Sequence, residues 1–284
     1  MSKNKYIYIA DSFLVDIIGG GELNDDELMS LISHRDVATA KVRSNKVTVD
    51  YLKKEKNCFF IISNFINLSE DSKQYLIDNC AYIIYEHDHK YIRSRNPALY
   101  KDFIAPQSEI INLSFYKQAK AVICQSIFHR DIIKRNIDID NIQTISGNLW
   151  PEDSLNIMRI LNKKEKKDCY SIMNSLIPHK NTRNTIFYCE QKQHNFELIQ
   201  SSNYQEFLTF LSNNDKFIFL PKTPETLSRV VVEARMMGLK VTTNKNVGAT
   251  YESWFRLKGE ELIEVMNGKR KAIPDMIMKV FNER

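Results

Sequence analysis

The sequence predicts an α/β protein with two domains, each built on a parallel sheet. Short apolar runs bounded by turn residues recur along the chain, and each is followed by a helical pattern, as in sheets whose strands are joined by crossover helices. This alternation stops near residues 146–151 and then restarts. A chain of 284 residues has room for two compact domains.

The break divides the chain into a first domain over residues 1–148 and a second over residues 149–284. The strands predicted for the first domain are Tyr6–Ala10, Val37–Val42, Cys58–Ser63, Tyr82–Tyr85, Ala121–Cys124 and Ile142–Ile145. Those of the second are Cys169–Met173, Phe196–Gln200, Phe217–Leu220 and Lys240–Thr243. Predicted helices include Asn24–Ser33, Glu70–Asn79, Asp153–Leu161 and Pro274–Asn282. The last of these helices is placed to cross back to the first domain.

The composition is that of an ordinary globular protein, with 43% hydrophobic and 26% charged residues. A net charge of +5 permits a polyanionic partner without requiring one. Five cysteines without a CxxC pair or zinc spacing indicate buried thiols in a reducing cytosol. The chain opens directly on a strand pattern and contains no membrane-spanning apolar run. We therefore expect a cytoplasmic protein without membrane insertion.

Abundant Asn, Ile and Lys beside eight Gly and seven Pro are typical of AT-rich genomes, among them those of T-even-like phages. For a phage protein, the cytoplasm would be that of the host.

The most informative segment is Phe217–Asn244, which carries Glu225 and Glu233 eight residues apart across a predicted strand-to-helix junction. If the helix begins at Glu225, its first free amides are those of Thr226, Leu227 and Ser228. Such amides, at the positive end of the helix dipole, suit a diphosphate. On a continuous helix, Glu233 would lie about 12 Å further along the axis. That spacing lets one carboxylate serve each end of a nucleotide sugar.

The segment resembles the retaining GT-B glycosyltransferases of family 4, whose pattern is E-x-F-G-x-x-x-x-E-A-x-x-x-G-x-P-V. The matching residues are Glu225, Glu233, Ala234, Gly238 and Val241. Ser228 replaces the usual Gly and Lys240 the usual Pro. The resemblance implies two Rossmann-like domains whose parallel sheets face a central cleft. It also implies that Glu233 binds the ribose and Glu225 contacts the donor sugar; a surface helix with two solvated glutamates is the alternative.

A second match covers Cys169–Arg183, which resembles the strand, loop and helix that open the nucleotide domain of this family and end in G-R-L-x-x-x-K-G. Lys180 aligns with the family lysine, and the resemblance implies that it neutralises the donor phosphates. Ser175 stands where the family has Arg. Either Arg183 or Arg229 could supply that charge, and we favour Arg229 because it lies within the E-x7-E segment. An exposed loop lysine is the alternative for Lys180.

In the first domain, three consecutive glycines precede Glu22 and could adopt positive φ angles and approach a ligand closely. This loop resembles the Gly-Gly loop of the family, which faces the donor. The resemblance therefore implies donor contacts at Gly20 and Gly21, and makes Glu22 a candidate acceptor contact. A tight turn without a ligand is the alternative.

The segment after the fourth strand places polar residues at the carboxyl edge of the sheet, where α/β folds bind ligands. The resemblance implies that His87 contacts the donor sugar or the acceptor, and we assign Asp88 and His89 to the acceptor side. We expect no metal site, because two histidines so spaced lack a third ligand. A helix beginning with Ser126 as N-cap is expected further along the chain.

Basic residues alternate with aromatic ones in the next segment, residues 90–101. This pattern suits a phosphate backbone or a stacked base, with a solvated loop as the alternative. The basic residues are Lys90, Arg93, Arg95 and Lys101.

These observations predict a hexosyl- or pentosyltransferase that moves a sugar from a nucleotide sugar, most commonly a UDP-sugar, with retention and without a cofactor. The favoured acceptor is 5-hydroxymethylpyrimidine in duplex DNA, and a lipid-linked or surface glycan is the alternative. A noncatalytic module that binds nucleotide sugars or nucleic acid is a hypothesis of another class, favoured by the loss of the usual Arg at Ser175.

Overall fold

A computed structural model describes residues 5–35 and 37–282 of the protein. The chain forms two compact units. Unit 1 comprises Met1–Leu149 together with Lys269–Arg284, and unit 2 comprises Trp150–Gly268. Over the described ranges, no helix is long and apolar enough to cross a membrane.

Unit 1 is built on a parallel sheet of six strands in the order β2-β1-β3-β4-β5-β6. The strands are β1 Lys5–Ala10, β2 Ala38–Arg43, β3 Phe59–Ile62, β4 Ala81–Glu86, β5 Val122–Cys124 and β6 Ile142–Thr144. Its helices are α1 Gly20–Ser33, α2 Val49–Lys54, α3 Glu70–Asn79, α4 Leu113–Gln118 and α5 Ile127–Asn136. Because all six strands are parallel, their carboxyl ends lie along one edge of the sheet. The loops that follow the strands therefore lie together at that edge.

The central strands of unit 1 are apolar on both faces because each face has its own core. Along β3, Phe60 and Ile62 pack into one cluster while Ile61 packs into the other. Burial of each such side chain stabilises the fold by about 1.5–3 kcal/mol. The second cluster also contains Ile277 and Phe281 of the last helix, α10, which spans Glu260–Asn282. The carboxyl end of the chain is thus part of the core of unit 1.

Unit 2 repeats the design with four parallel strands in the order β10-β9-β7-β8. The strands are β7 Lys167–Met173, β8 Phe196–Ile199, β9 Asn214–Phe219 and β10 Lys240–Thr243. The helices are α6 Glu152–Asn162, α7 Thr182–Gln191, α8 Tyr204–Ser212 and α9 Arg229–Met236, followed by the first part of α10. The larger core packs Phe217 and Phe219 of β9 against Val231 of α9.

All ten predicted strands are present, and helix α3 has the predicted bounds. Three helices were predicted wrongly at their starts. Helix α1 begins at Gly20, four residues before the predicted Asn24, and α9 begins at Arg229 instead of near Glu225. Helix α10 continues through Pro274 from Glu260, because a proline inside a helix does not always end it when the rest of the helix is packed.

Candidate functional site

The centre of the unit 2 site is an ion pair between Lys180 and Glu225. The Lys180 ammonium contacts both carboxylate oxygens of Glu225, at 2.8 and 3.0 Å. It also lies 5.8 Å from the centroid of the Phe219 ring. Both charged side chains are partly accessible, at 25% for Lys180 and 15% for Glu225. The two residues predicted to contact the donor therefore neutralise each other at an accessible place.

Backbone and amide hydrogen bonds fix the loops that carry this pair. Asn181, in the left-handed conformation with φ of 62°, donates its side-chain amide to the Leu220 carbonyl at 2.7 Å. The backbone N–H of Glu225 donates to the Asn246 carbonyl at 2.7 Å, and the backbone carbonyl of Glu225 accepts from the Gly248 N–H at 2.9 Å. The loops after β7, β9 and β10 are thus bonded together at the carboxyl edge of the sheet.

Helix α9 starts with an unusual residue conformation. Its N-cap, Ser228, has φ of 74° and ψ of 85°, in a region that favours glycine. The Ser228 hydroxyl is buried, and no described residue bonds to it. Thr226 and Leu227 lie in the loop before the helix, which corrects their predicted place in its first turn. The chain therefore keeps at Ser228 the backbone shape that a glycine would give.

The side chain of Glu233 is buried, with 3% of the residue exposed. Its Oε1 accepts from the Trp150 indole N–H at 2.9 Å and from the Tyr204 hydroxyl at 2.6 Å. Burial, followed by the charge of Glu233, raises the pKa of Tyr204 well above its ordinary value, so the hydroxyl keeps the proton that it donates. One carboxylate oxygen is thus committed to the protein itself.

Arg229 also belongs to this buried cluster. Its guanidinium lies 4.5 Å from the centroid of the Trp150 ring, and its Nε lies 3.5 Å from Glu233 Oε1. Only 8% of the residue is exposed. Stacking and ion pairing thus hold the guanidinium inside unit 2, and its role as the replacement phosphate ligand stays a prediction.

Arg183 instead lines an open pocket of about 590 Å³. The loop after β7 and the first turn of α7 form its wall, with Ser175 and Lys222 at the same surface. Arg183 and Lys222 are exposed, and no described acidic side chain pairs with either. Positive charge is therefore available to a ligand at this pocket.

In unit 1, the glycine-rich segment forms the first turn of α1 and not a loop. Gly20 and Gly21 are helical, so neither needs the positive φ angle that we expected. Gly19 is the N-cap, and a Cβ placed on it would lie 2.3 Å from Glu22 Oε2. Burial raises the pKa of Glu22, against the effect of a hydrogen bond from its own backbone N–H. The carboxylate of Glu22 is thus folded against the start of its own helix.

His87 lies beside this turn, at the end of β4. Its imidazole is 14% exposed, and both ring nitrogens are within hydrogen-bond distance of other side chains, Asp25 and Gln125. A Cβ added to Gly21 would lie 3.7 Å from the His87 ring. Gly21 and His87, both predicted to contact a substrate, therefore lie side by side.

The acceptor-side residues divide into buried and exposed ones. Lys90 is 2% exposed and forms ion pairs with Glu86 and, at 2.9 Å, with Asp88. Burial raises the pKa of Glu86. Burial also acts to raise the pKa of Asp88, but the charge and hydrogen bond of Lys90 together with the charge of Arg95 outweigh it and lower that pKa. Placing Lys90 among the phosphate contacts was wrong, because it neutralises two carboxylates inside unit 1.

His89 is also buried, and it accepts or donates a 2.9 Å hydrogen bond with the Tyr91 hydroxyl. Burial lowers the pKa of His89 to about 4, so it is neutral at neutral pH. Because its side chain is buried, His89 does not make the acceptor contact that we assigned to it. Arg93 and Arg95 remain outside, with side chains 65% and 44% exposed. Arg93 Nε lies 4.0 Å from Glu109 Oε2, and Arg95 Nη1 lies 3.5 Å from Asp88 Oδ2.

Sequence reasoning missed the residues that hold the predicted ones in place. Trp150 and Tyr204 bind Glu233 from positions 83 and 29 residues away along the chain, and Gln125 reaches His87 across 38 residues. No local motif connects such residues. Ser126, by contrast, is the N-cap of α5 as predicted, accepting from the His129 N–H at 3.1 Å.

The chain matches no protein-family model and no curated protein. Solved structures show its fold. Anabaena HepE in complex with UDP-glucose has 12% identity, with 98% of this chain and 92% of that one covered at a TM-score of 0.54. The catalytic domain of starch synthase IV from Arabidopsis thaliana, bound to ADP and acarbose, has 8% identity, 99% of each chain and a TM-score of 0.56.

A third similar structure is UDP-GlcNAc 2-epimerase from Methanocaldococcus jannaschii, in complex with UDP-GlcNAc and UDP. It has 11% identity, covers 99% of this chain and 93% of its own, and gives a TM-score of 0.51. The two parallel-sheet units therefore have the GT-B fold. Since a starch synthase and an epimerase share this fold, the reaction has to be argued from the site.

Proposed function

We propose that the protein is a glycosyltransferase that binds a nucleotide sugar at the carboxyl edge of the unit 2 sheet. The observation that carries the proposal is the accessible pair of Lys180 and Glu225, joined at 2.8 and 3.0 Å beside the start of α9. An incoming diphosphate can draw Lys180 away from Glu225, which frees the carboxylate to accept from sugar hydroxyls. The pair thus offers one group to each part of the donor.

The start of α9 supplies further donors. The first-turn amides of a helix have no acceptor within that helix and carry its positive dipole end. The buried hydroxyl of Ser228, to which no described residue bonds, adds a donor for a ligand oxygen. For the ribose we assign Glu233 through its second oxygen, Oε2, since Oε1 serves Trp150 and Tyr204.

Transfer then requires the sugar to leave its diphosphate. Charge accumulates on the departing phosphate oxygens, and a fixed ammonium and helix amides stabilise that charge more than they stabilise the ground state. We assign the main part of this task to Lys180, with Arg183 and Lys222 as the available cations of the adjacent pocket. We propose retention, in which an oxocarbenium-like sugar is attacked from the side of the leaving group.

For the acceptor we propose a hydroxymethylated pyrimidine in DNA. The support is the exposure of Arg93 and Arg95 in unit 1, together with the basic net charge. Guanidinium groups on an exposed loop suit contacts to phosphates. Transfer to a glycan acceptor would involve the same donor chemistry but would not require these exposed arginines.

Slow donor hydrolysis without an acceptor tests the proposal most directly. The protein is incubated with labelled UDP-, GDP- and ADP-sugars, and release of free sugar is followed, with Lys180→Ala as the matched inactive variant. We expect hydrolysis of one donor class that the variant loses. Binding of a nucleotide sugar without any turnover, with or without DNA or glycan acceptors, would establish the noncatalytic alternative.

Metal independence is a separate expectation. The described residues contain no group of three His, Cys, Asp or Glu side chains arranged to hold a metal ion, and the proposed donor contacts are cationic side chains and amides. We therefore expect the rate to survive excess EDTA. A complete loss that manganese restores would contradict this expectation.

A further inference from the structure

Two of the five cysteines lie beside each other at the amino edge of the unit 1 sheet. Cys58 immediately precedes β3, and Cys80 immediately precedes β4. The two strands are parallel neighbours whose ladder pairs Phe59 with Ala81. One residue earlier on each strand, the same register places Cys58 opposite Cys80. Both cysteines are free thiols.

Both thiols also lie on the same face of the sheet. Side chains alternate between the two faces along a strand. Phe59 and Ala81 pack against the core that contains the end of α10, whereas Cys58 and Cys80 pack into the core of the opposite face. Neighbouring strands are about 4.8 Å apart, and a disulfide joins residues whose Cα atoms are about 4.4–6.8 Å apart. The register therefore meets the main geometric condition for a disulfide.

The surroundings keep both thiols protonated. Burial raises the pKa of each to about 11. For Cys58, a hydrogen bond adds to burial, because its Sγ donates to Glu55 Oε2 at 3.2 Å; Glu55 Oε1 in turn accepts from the Lys5 ammonium at 2.8 Å. The charge of a Cys80 thiolate raises the pKa of Cys58 further, as expected for thiols that lie close together. Exchange at this pair is therefore slow near neutral pH.

The two thiols differ in their access to solvent. Cys58 is 8% exposed, whereas Cys80 is half-buried. Cys80 is the C-cap of α3, and its backbone N–H donates to the Leu76 carbonyl at 3.1 Å. A small oxidant can therefore reach Cys80 first, while Cys58 lies beside it from the next strand.

We propose that Cys58 and Cys80 form a reversible disulfide by exchange with a small-molecule disulfide such as oxidised glutathione. The Cys80 thiolate attacks one sulfur of the oxidant, which breaks the S–S bond of the oxidant, forms a mixed disulfide and releases one small thiol. The Cys58 thiolate then attacks the Cys80 sulfur and releases the second small thiol. The two protons that the cysteines lose are taken up by the two released thiolates. The cysteine pair is thus oxidised, and the small disulfide is reduced to two thiols.

The bond would join β3 to β4 around α3, at the edge opposite to the polar residues of unit 1. It would close a loop of about 20 residues, and such a link restricts the unfolded chain more than the folded one. We therefore expect oxidation to raise the melting temperature by about 5–10 °C. In a reducing cell, the pair would be joined only while small disulfides accumulate.

Mass spectrometry after oxidation tests the proposal. The protein is kept overnight in excess oxidised glutathione at mildly alkaline pH, where more of each thiol is ionised. Remaining thiols are blocked, and the protein is digested without reduction. We expect one peptide pair joined through Cys58 and Cys80, which dithiothreitol separates. Cys58→Ala and Cys80→Ala should each abolish the pair and the rise in melting temperature. Cys189→Ala, at a buried cysteine of α7, is the matched control and should retain both.

Three results would overturn the inference. They are recovery of Cys58 and Cys80 only as free thiols or separate glutathione adducts, a bond through another cysteine, and a joined pair without a rise in melting temperature. If a cysteine variant fails to fold, wild-type protein compared before and after dithiothreitol still gives both measurements. Neither measurement depends on donor hydrolysis, so a failure of this inference is distinct from a failure of the proposed function.

Discussion

At the scale of single residues, the Lys180 and Glu225 pair makes a clear kinetic prediction. Lys180→Ala should lower turnover more than donor affinity, because the charge that Lys180 stabilises grows as the diphosphate leaves. Single-turnover rates and calorimetric donor affinities measure the two effects. Lys163→Ala, an exposed lysine of the same unit after α6, is the control and should leave both unchanged. Equal losses in rate and affinity would restrict Lys180 to ground-state binding.

Glu233 gives a second prediction at this scale. Glu233→Gln should weaken donor binding by about 1–3 kcal/mol, because a charged acceptor of hydrogen bonds is lost in a buried place. Calorimetry with the donor identified by hydrolysis measures this change.

The control for that prediction separates ligand binding from internal packing. Trp150→Phe removes the indole N–H that binds Glu233 Oε1 while retaining an aromatic ring under Arg229. It should lower stability and leave donor affinity nearly unchanged. If both variants lose the same affinity, Glu233 acts by supporting the fold and not by binding the ribose.

At the scale of elements, the start of α9 combines a strained backbone with a proposed ligand contact. A non-glycine residue at positive φ costs about 1–3 kcal/mol, and glycine removes that cost at a loss of about 0.5–1 kcal/mol in chain entropy. Ser228→Gly should therefore raise the free energy of unfolding by about 1 kcal/mol. It should also weaken donor binding by about 1 kcal/mol, because the proposed hydroxyl donor is gone.

Urea unfolding measures the change in the free energy of unfolding, and calorimetry measures the change in donor affinity. Ser126→Gly is the matched control, since Ser126 caps α5 at an ordinary φ of −143° and its hydroxyl accepts from His129 N–H. It should lower stability by a few tenths of a kcal/mol. A Ser228→Gly protein that is less stable than wild type would contradict the strain argument.

The strands could be predicted better than the helix starts, for a physical reason. The central strands, such as β3 and β4, are apolar runs buried on two sides, so their pattern is local and strong. The start of α9 depends on Glu225 pairing with the loop after β10, which holds residues 225–228 out of the helix. That contact joins residues more than twenty positions apart, and no local propensity reports it.

At the scale of the whole molecule, the proposed DNA acceptor predicts that binding depends on the positive charge of the protein surface. If duplex DNA is bound through Arg93 and Arg95, affinity should fall steeply with salt, with a slope of about 0.9 per phosphate contact. Replacing both arginines by alanine should lower that slope by about 2 and leave donor hydrolysis nearly intact. Lys90 is excluded from this set, because it is buried between Glu86 and Asp88.

A double variant with the same change in net charge provides the control. Lys53 and Lys54 are exposed in the last turn of α2, and their replacement by alanine should leave the salt slope at its wild-type value. Binding to hydroxymethylated duplex is measured over a range of salt concentrations. An unchanged slope in the arginine variant, or no transfer to the duplex, would remove DNA as the acceptor.

The sequence by itself determined the ten strands, their order along the chain and the residue types at their carboxyl ends, because apolar periodicity and turn residues are local properties. Tertiary structure decided which polar side chains are accessible and which are buried. It turned Lys90, His89 and Arg229 inward, left Arg93, Arg95 and Arg183 accessible, and assembled Asp25, Ser63 and Gln125 around His87. The physical reason is that a charge is buried only where distant residues supply its partners, and those partners meet only in the folded chain.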